Sequence, residues 1–122
     1  MRFVILIQTN PEVAQLFSGM SDDDRRAAYQ VYWDVENDLT ESGELVDSKA
    51  IDGDAQKYVR RGDDGPVITD ADTAEVVTGY YLVDVEDEAR AQQIAARFPE
   101  AAVARGIRVA RVWTQEDFDA LN

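Results

Sequence analysis

The sequence predicts an α+β domain of the ferredoxin-like, split β-α-β kind, and three observations carry that prediction. Strand and helix candidates follow the order β-α-β, a small hairpin region, then β-α-β. The first strand and the strand opening at Gly79 are apolar on both alternating sets of positions, the pattern of strands covered on both faces. The chain has 122 residues, enough for one domain that buries roughly two-thirds of the surface its unfolded form exposes.

Arg2 to Gln8 reads as the first strand, with Phe3, Ile5 and Ile7 facing one way and Val4 and Leu6 the other. Asn10-Pro11 ends it, and Glu12 to Phe17 suits a short turn or helix. Ser21 is an N-cap, and Asp22, Asp23 and Asp24 complement the positive end of the helix it opens. That helix should run to about Ser42 and stop at Gly43. Ala28, Val31, Val35 and Leu39 form its core stripe at spacings of 3 and 4. Tyr29, Trp33 and Glu36 form a second stripe, which either widens the core face or looks into a cleft.

Glu44 to Ile51 is a second strand, and Asp52-Gly53-Asp54 a turn. Lys57 to Arg61 is a third strand, with Tyr58 and Arg60 on one face. Asp63-Asp64-Gly65-Pro66 turns the chain into Val67-Ile68-Thr69. Gly79 to Val85 is the strongest later strand, with Tyr81, Val83 and Val85 set against Tyr80 and Leu82. Asp87 to Phe98 is an amphipathic helix with Ala91, Ile94, Ala95 and Phe98 inward, closed by Pro99. Ile107 to Trp113 is the last strand. The domain spans residues 1–113, and residues 114–122 form a tail in which Thr114 caps a short helix. No repeat, low-complexity tract or linker interrupts the chain.

In this topology both helices pack on one sheet face. Strands that are apolar on both faces then need a second cover, because an exposed apolar face is a liability in a monomer. A second copy pairing sheet against sheet, a homodimer, is the simplest cover.

Composition removes several function classes. The net charge is −13, with 25 acidic residues. Nucleic acid and anionic membrane surfaces both call for a basic footprint and are not expected as partners. The acidity serves solubility equally well. Of the basic residues 10 are arginine and 2 lysine, a bias that genomic base composition explains as readily as function does. No apolar run approaches the ~20 residues that span a bilayer. No basic segment precedes the apolar RFVILIQ stretch, so a cytoplasmic location is expected. Without cysteine there is no disulfide and no thiol chemistry. Without histidine there is no imidazole base, and zinc sites built from Cys and His are excluded. Proton transfer must use Asp, Glu, Tyr, Lys or solvent. No cofactor is indicated.

The stretch Thr69-Asp70-Ala71-Asp72-Thr73-Ala74-Glu75, the run Gly79-Tyr80-Tyr81-Leu82 and the pair Val112-Trp113, together with the element order, resemble the YCII-related family, in its DGPF-motif branch. There a hairpin leads into Thr-Asp-Gly-Pro-Phe-Ala-Glu, followed by a strand with Gly-Tyr-Tyr-Leu. The resemblance spans roughly Met1 to Trp113. It departs where Ala71, Asp72 and Thr73 replace Gly-Pro-Phe, and where the interval to the paired tyrosines is shorter. Asp64-Gly65-Pro66-Val67 offers a rival register. The flanking Thr69 and Ala74-Glu75 favour Asp70 and leave Asp64-Gly65 as a hairpin turn. The resemblance implies a ferredoxin-like protomer that dimerises through its sheet into an α+β barrel, with a cleft beside the sheet. Some members use a His–Asp pair as acid and base, one branch includes a dehydrochlorinase, and many have no assigned activity. Asp70 matches the Asp of that pair; the His has no counterpart here.

Asp70 is thus the candidate catalytic base. It stands where a strand hands over to a loop. Burial against Tyr80 or Tyr81 would raise its pKa toward neutrality; otherwise it caps its own loop. Asp72 joins it as a candidate binding residue. Asp70, Asp72 and Glu75 offer the oxygen ligands that Mg²⁺ or Ca²⁺ takes, but so acidic a chain produces such a loop by chance, and no metal is expected. Arg60 could clamp a carboxylate or phosphate. Tyr80 and Tyr81 must point to opposite faces, one to core or interface and the other to a cleft. Trp33 completes the candidate lining. Two functions fit: a small-molecule-binding protein or weak enzyme performing proton abstraction or elimination, and a non-catalytic dimeric module that binds a protein partner in regulation.

Overall fold

The computed structural model describes residues 1–72 and 74–122; Thr73, the last of the three residues standing for Gly-Pro-Phe, lies outside them. The elements are β1 (Arg2–Thr9), α1 (Pro11–Ser18), α2 (Asp22–Ser42), β2 (Leu45–Ala50), β3 (Lys57–Gly62), β4 (Gly65–Asp70), β5 (Val76–Asp84), α3 (Glu88–Ala95), a 3-10 turn (Pro99–Ala102), β6 (Ile107–Arg111) and α4 (Gln115–Asp119). Four strands form one sheet in the order β2-β5-β1-β6, with every neighbouring pair antiparallel. β1 and β2 flank β5 and are therefore parallel to each other, joined by α2. β5 and β6 flank β1 in the same way and are joined by α3. This is the ferredoxin-like split β-α-β arrangement.

Local chemistry fixes α2. The Ser21 hydroxyl accepts from the Asp24 amide at 3.1 Å, three aspartates fill the first turn, and Gly43 closes the helix at φ 81°, a backbone angle that L side chains rarely adopt. Asp87 caps α3 by accepting from the Arg90 amide. Thr114 and Asp117 form a reciprocal capping box that starts α4.

The core lies between the sheet and helices α2 and α3. Phe3 and Ile5 of β1, Val83 of β5, Val35 and Leu39 of α2, Ile94 of α3 and Phe98 just beyond α3 are almost fully buried. Each such side chain contributes about 1.5–3 kcal/mol by leaving water. Val4 and Leu6 of β1 and Leu82 of β5 point to the opposite face, lie outside this cluster and are only half-buried. Glu44 at the start of β2 holds Arg90 of α3 in a two-point ion pair, 2.9 and 2.8 Å.

Several boundaries differ from the sequence reading. β5 begins at Val76 rather than Gly79, and α3 ends at Ala95 while Phe98 remains buried in the turn that follows. β3 and β4 do not extend the main sheet. They pair only with each other, and nearly all of their residues are exposed. Among the described residues no helix is long and apolar enough to cross a membrane.

Candidate functional site

Tyr29, Tyr32, Trp33 and Glu36 recur along α2 at spacings of 3 and 4, so they share one flank of the helix. That flank overhangs one end of the sheet. Ile7 of β1, Ser48 and Ala50 of β2, and Thr78, Gly79 and Tyr81 of β5 lie opposite it, and Glu100 in the 3-10 turn completes the wall. Together with Lys49 they surround a cavity of about 540 Å³, within the range of small-molecule sites.

Two backbone features of β5 shape the floor. Ile7 pairs with Gly79 and Gln8 with Val77, so Thr78 is an extra residue, a β-bulge. Bulges re-aim side chains, often beside functional sites; this one falls on the cavity wall. At Gly79 a Cβ would stand 3.3 Å from the Lys49 carbonyl oxygen and 3.8 Å from Ile7 Cδ1. The missing side chain therefore leaves room between strand and helix.

The polar groups converge on Tyr81. Its hydroxyl donates to the Tyr32 carbonyl oxygen at 3.1 Å, and its ring packs on Phe98 at 4.8 Å between centroids. Tyr32 stacks on the same phenylalanine and donates its own hydroxyl to Glu100 Oε2. Glu36 accepts from the Ser48 hydroxyl at 3.5 Å. Burial, then the nearby Glu36 and Glu100 carboxyls, push the Tyr81 phenol up to about 12. Burial and the Glu100 hydrogen bond also raise Tyr32. Both tyrosines are therefore hydrogen-bond donors at neutral pH.

Glu100 is the unusual member. It is only 4 % exposed, and among the described residues its Oε1 is buried without a hydrogen-bond partner. Such an atom costs roughly 1–3 kcal/mol. Burial raises its pKa, opposed by the bond from Tyr32 and one from its own backbone. Gly106 fixes its position, since a Cβ there would lie 2.1 Å from the Glu100 carbonyl oxygen. A carboxyl raised in this way can take up and release a proton closer to neutral pH than a free one can.

Of the residues singled out from sequence, Trp33 and Tyr81 lie on the cavity wall. Tyr80, on the opposite sheet face, donates to Asp47 Oδ2 at 2.6 Å. Arg60 sits exposed on β3, away from the cavity. Asp70 is not buried against either tyrosine. It ends β4 with its side chain 85 % exposed and paired with Lys57, because the hairpin that carries it stands apart from the main sheet. Asp72 accepts from the Ala74 amide at 2.8 Å and so caps its loop. Glu75 turns to Arg105 at 3.0 Å. The three loop carboxylates thus go three separate ways, and among the described residues no cluster of three or more acidic side chains is placed to hold a metal.

Tyr32 and Glu100 are the site residues that sequence reasoning passed over. Tyr32 was recoverable, standing three residues beyond Tyr29 and four before Glu36 on the same flank. Glu100 gives no such signal; it is one of 25 acidic residues, and only long-range packing buries it.

The family model described as YCII-related domain matches residues 1–114. No curated protein matches the chain. Among solved structures, 5-chloro-2-hydroxyhydroquinone dehydrochlorinase (TftG) from Burkholderia phenoliruptrix AC1100, in complex with 2,5-dihydroxybenzoquinone, is similar to it with a TM-score of 0.51. The two are 14 % identical over 95 % of this chain and 97 % of that one. At that identity the likeness is one of fold.

Proposed function

Since the chain belongs to the YCII-related family, we propose that its cavity binds a small organic molecule and that Glu100, with Tyr32, handles a proton there. The carrying observation is a buried carboxyl in the wall of a cavity rich in aromatic side chains, bonded through one oxygen and, among the described residues, unpartnered at the other. The reaction class is proton abstraction or elimination. Ionised Glu100 takes a proton from the ligand, and the electron pair left behind either expels a leaving group or recaptures a proton. Tyr32 donates to Oε2 and orients the carboxyl. The name of the similarly folded TftG, a dehydrochlorinase, supports this class for the fold. On this reading Asp70 is not the base, since its carboxylate is solvated and paired with Lys57 outside the cavity.

The test is a panel of small fragments of mixed charge, followed by amide chemical shifts on the native protein and on Glu100→Gln and Tyr32→Phe. Binders should perturb Tyr32, Trp33 and Tyr81 together, and any proton exchange or elimination detected should vanish in Glu100→Gln. A panel whose shifts fall elsewhere, or turnover that survives Glu100→Gln, overturns the reading.

A second copy is proposed to cover the opposite sheet face. Val4, Leu6 and Leu82 present a half-buried apolar patch there, which matches the two-sided apolar pattern of β1 and β5. The open cavity favours ligand binding over a purely protein-binding module.

A further inference from the structure

Resting on the reading above, we infer that the cavity takes a small organic cation, a protonated amine carried on an aromatic or compact apolar body. Two carboxyls, Glu36 and Glu100, stand in its wall, and both are near enough to act on the Tyr81 phenol. Glu36 accepts from the Ser48 hydroxyl at 3.5 Å on the cavity wall, and Glu100 Oε1, shielded from solvent behind that wall, is an acceptor without a donor among the described residues; an ammonium brings three donors. Tyr29 and Trp33 are large aromatic surfaces left 49 % and 62 % exposed at the cavity mouth. Aromatic faces attract cations through their quadrupole, Trp most strongly.

Anions find the reverse. Lys49 is the only cationic residue on the wall among the described residues, and its ammonium is already engaged by Asp47 Oδ1 at 2.5 Å and the Ser48 carbonyl oxygen at 3.1 Å. Arg60 lies on the separate hairpin. A carboxylate, phosphate or phenolate would therefore enter against two glutamates and a net charge of −13, with no free cation on the wall among the described residues to meet it.

Three probes of one size and different charge test this: phenethylamine, 2-phenylethanol and phenylacetate, titrated into the full chain by calorimetry and amide chemical shifts. Phenethylamine should bind roughly tenfold tighter than the alcohol, the preference cation–π and ion pairing give together. Phenylacetate should not bind. The amine's advantage should shrink several-fold in Glu36→Gln and as salt is raised, because screening weakens charge attraction. Equal binding of amine and alcohol, or tighter binding of phenylacetate, overturns the cation assignment and leaves the cavity reading standing. Binding by none of the three also overturns it, and the mixed fragment panel then decides the cavity reading by itself.

Discussion

Tyr32 of α2 donates its hydroxyl to Oε2 of Glu100, 68 residues further along the chain, and no described residue meets Oε1 of the same carboxyl. This contact joins the long helix to the turn after α3, and it partly offsets the burial that raises the proton affinity of the acid. In the folded state Glu100 holds its proton above the ordinary value of 4.5. Between that value and the raised one the folded protein binds more protons than the unfolded chain, so stability falls as pH rises through this window. Urea denaturation at a series of pH values should show Glu100→Gln removing a downward slope of at most about 1.4 kcal/mol per pH unit. An unchanged slope would place the pH response elsewhere.

Gly106→Ala should be severely destabilising. The new methyl group would sit 2.1 Å from the Glu100 carbonyl oxygen, against backbone rather than a flexible side chain. Overpacking of this kind costs about 1–3 kcal/mol and more where backbone must move. Chemical denaturation should show a loss at or above the top of that range. Gly43→Ala tests a different cause at φ 81° in open space, and a smaller loss, near 1 kcal/mol, is expected there.

Trp33 and Tyr80 separate the two faces of the sheet. Trp33 lines the cavity, whereas Tyr80 bonds Asp47 on the far side. For any fragment found to bind, Trp33→Ala should weaken affinity by roughly tenfold, the usual effect of losing an aromatic wall. Tyr80→Phe should leave affinity unchanged. Calorimetric titration reads both without relying on either of the two tryptophans, and an equal loss from the two variants contradicts the placement of the site.

The Glu44–Arg90 pair ties β2 to α3 with two charge-assisted bonds. Arg90→Ala should cost about 1 kcal/mol, the upper end for a partly exposed pair. The loss should fall in acid, because Arg90 holds the Glu44 carboxyl below its usual range. That contribution is complete above the ordinary carboxylate pKa and disappears as pH drops through the lowered one.

A charge on the open sheet face tests the second copy. Leu82 pairs with Val4 across β5 and β1 on the half-buried apolar side. Leu82→Asp should convert a dimer to a monomer in light scattering while the helix content stays unchanged. A native protein that is already monomeric at high concentration removes the proposed dimer.

The limits of α2 were legible because Ser21 and Gly43 act locally, through a hydroxyl acceptor and a left-handed backbone. The alternation of Tyr80 and Tyr81 was legible too, but not which of them meets the cavity. That depends on which sheet face the helices cover, and no residue of β5 encodes it alone. The hairpin misled for a related reason. β3 and β4 read as strands and are strands, yet their sequence does not say that they pair only with each other, and so Asp70 is carried into solvent. Glu100 was illegible because a buried acid looks like any other until Gly106 and Tyr32 are brought against it. The cavity lies where the chain departs from local rules, with a carboxyl oxygen unpartnered among the described residues and a bulged strand.

The most direct measurement is a ¹³C-carboxyl NMR titration of Glu100, assigned by its disappearance in Glu100→Gln, on the free protein and with the tightest binder from the fragment panel. A midpoint above 4.5 in the free protein, displaced when the ligand is added, is the result expected of a buried proton-handling group in a ligand cavity. A midpoint at the ordinary carboxylate value, indifferent to ligand, contradicts it.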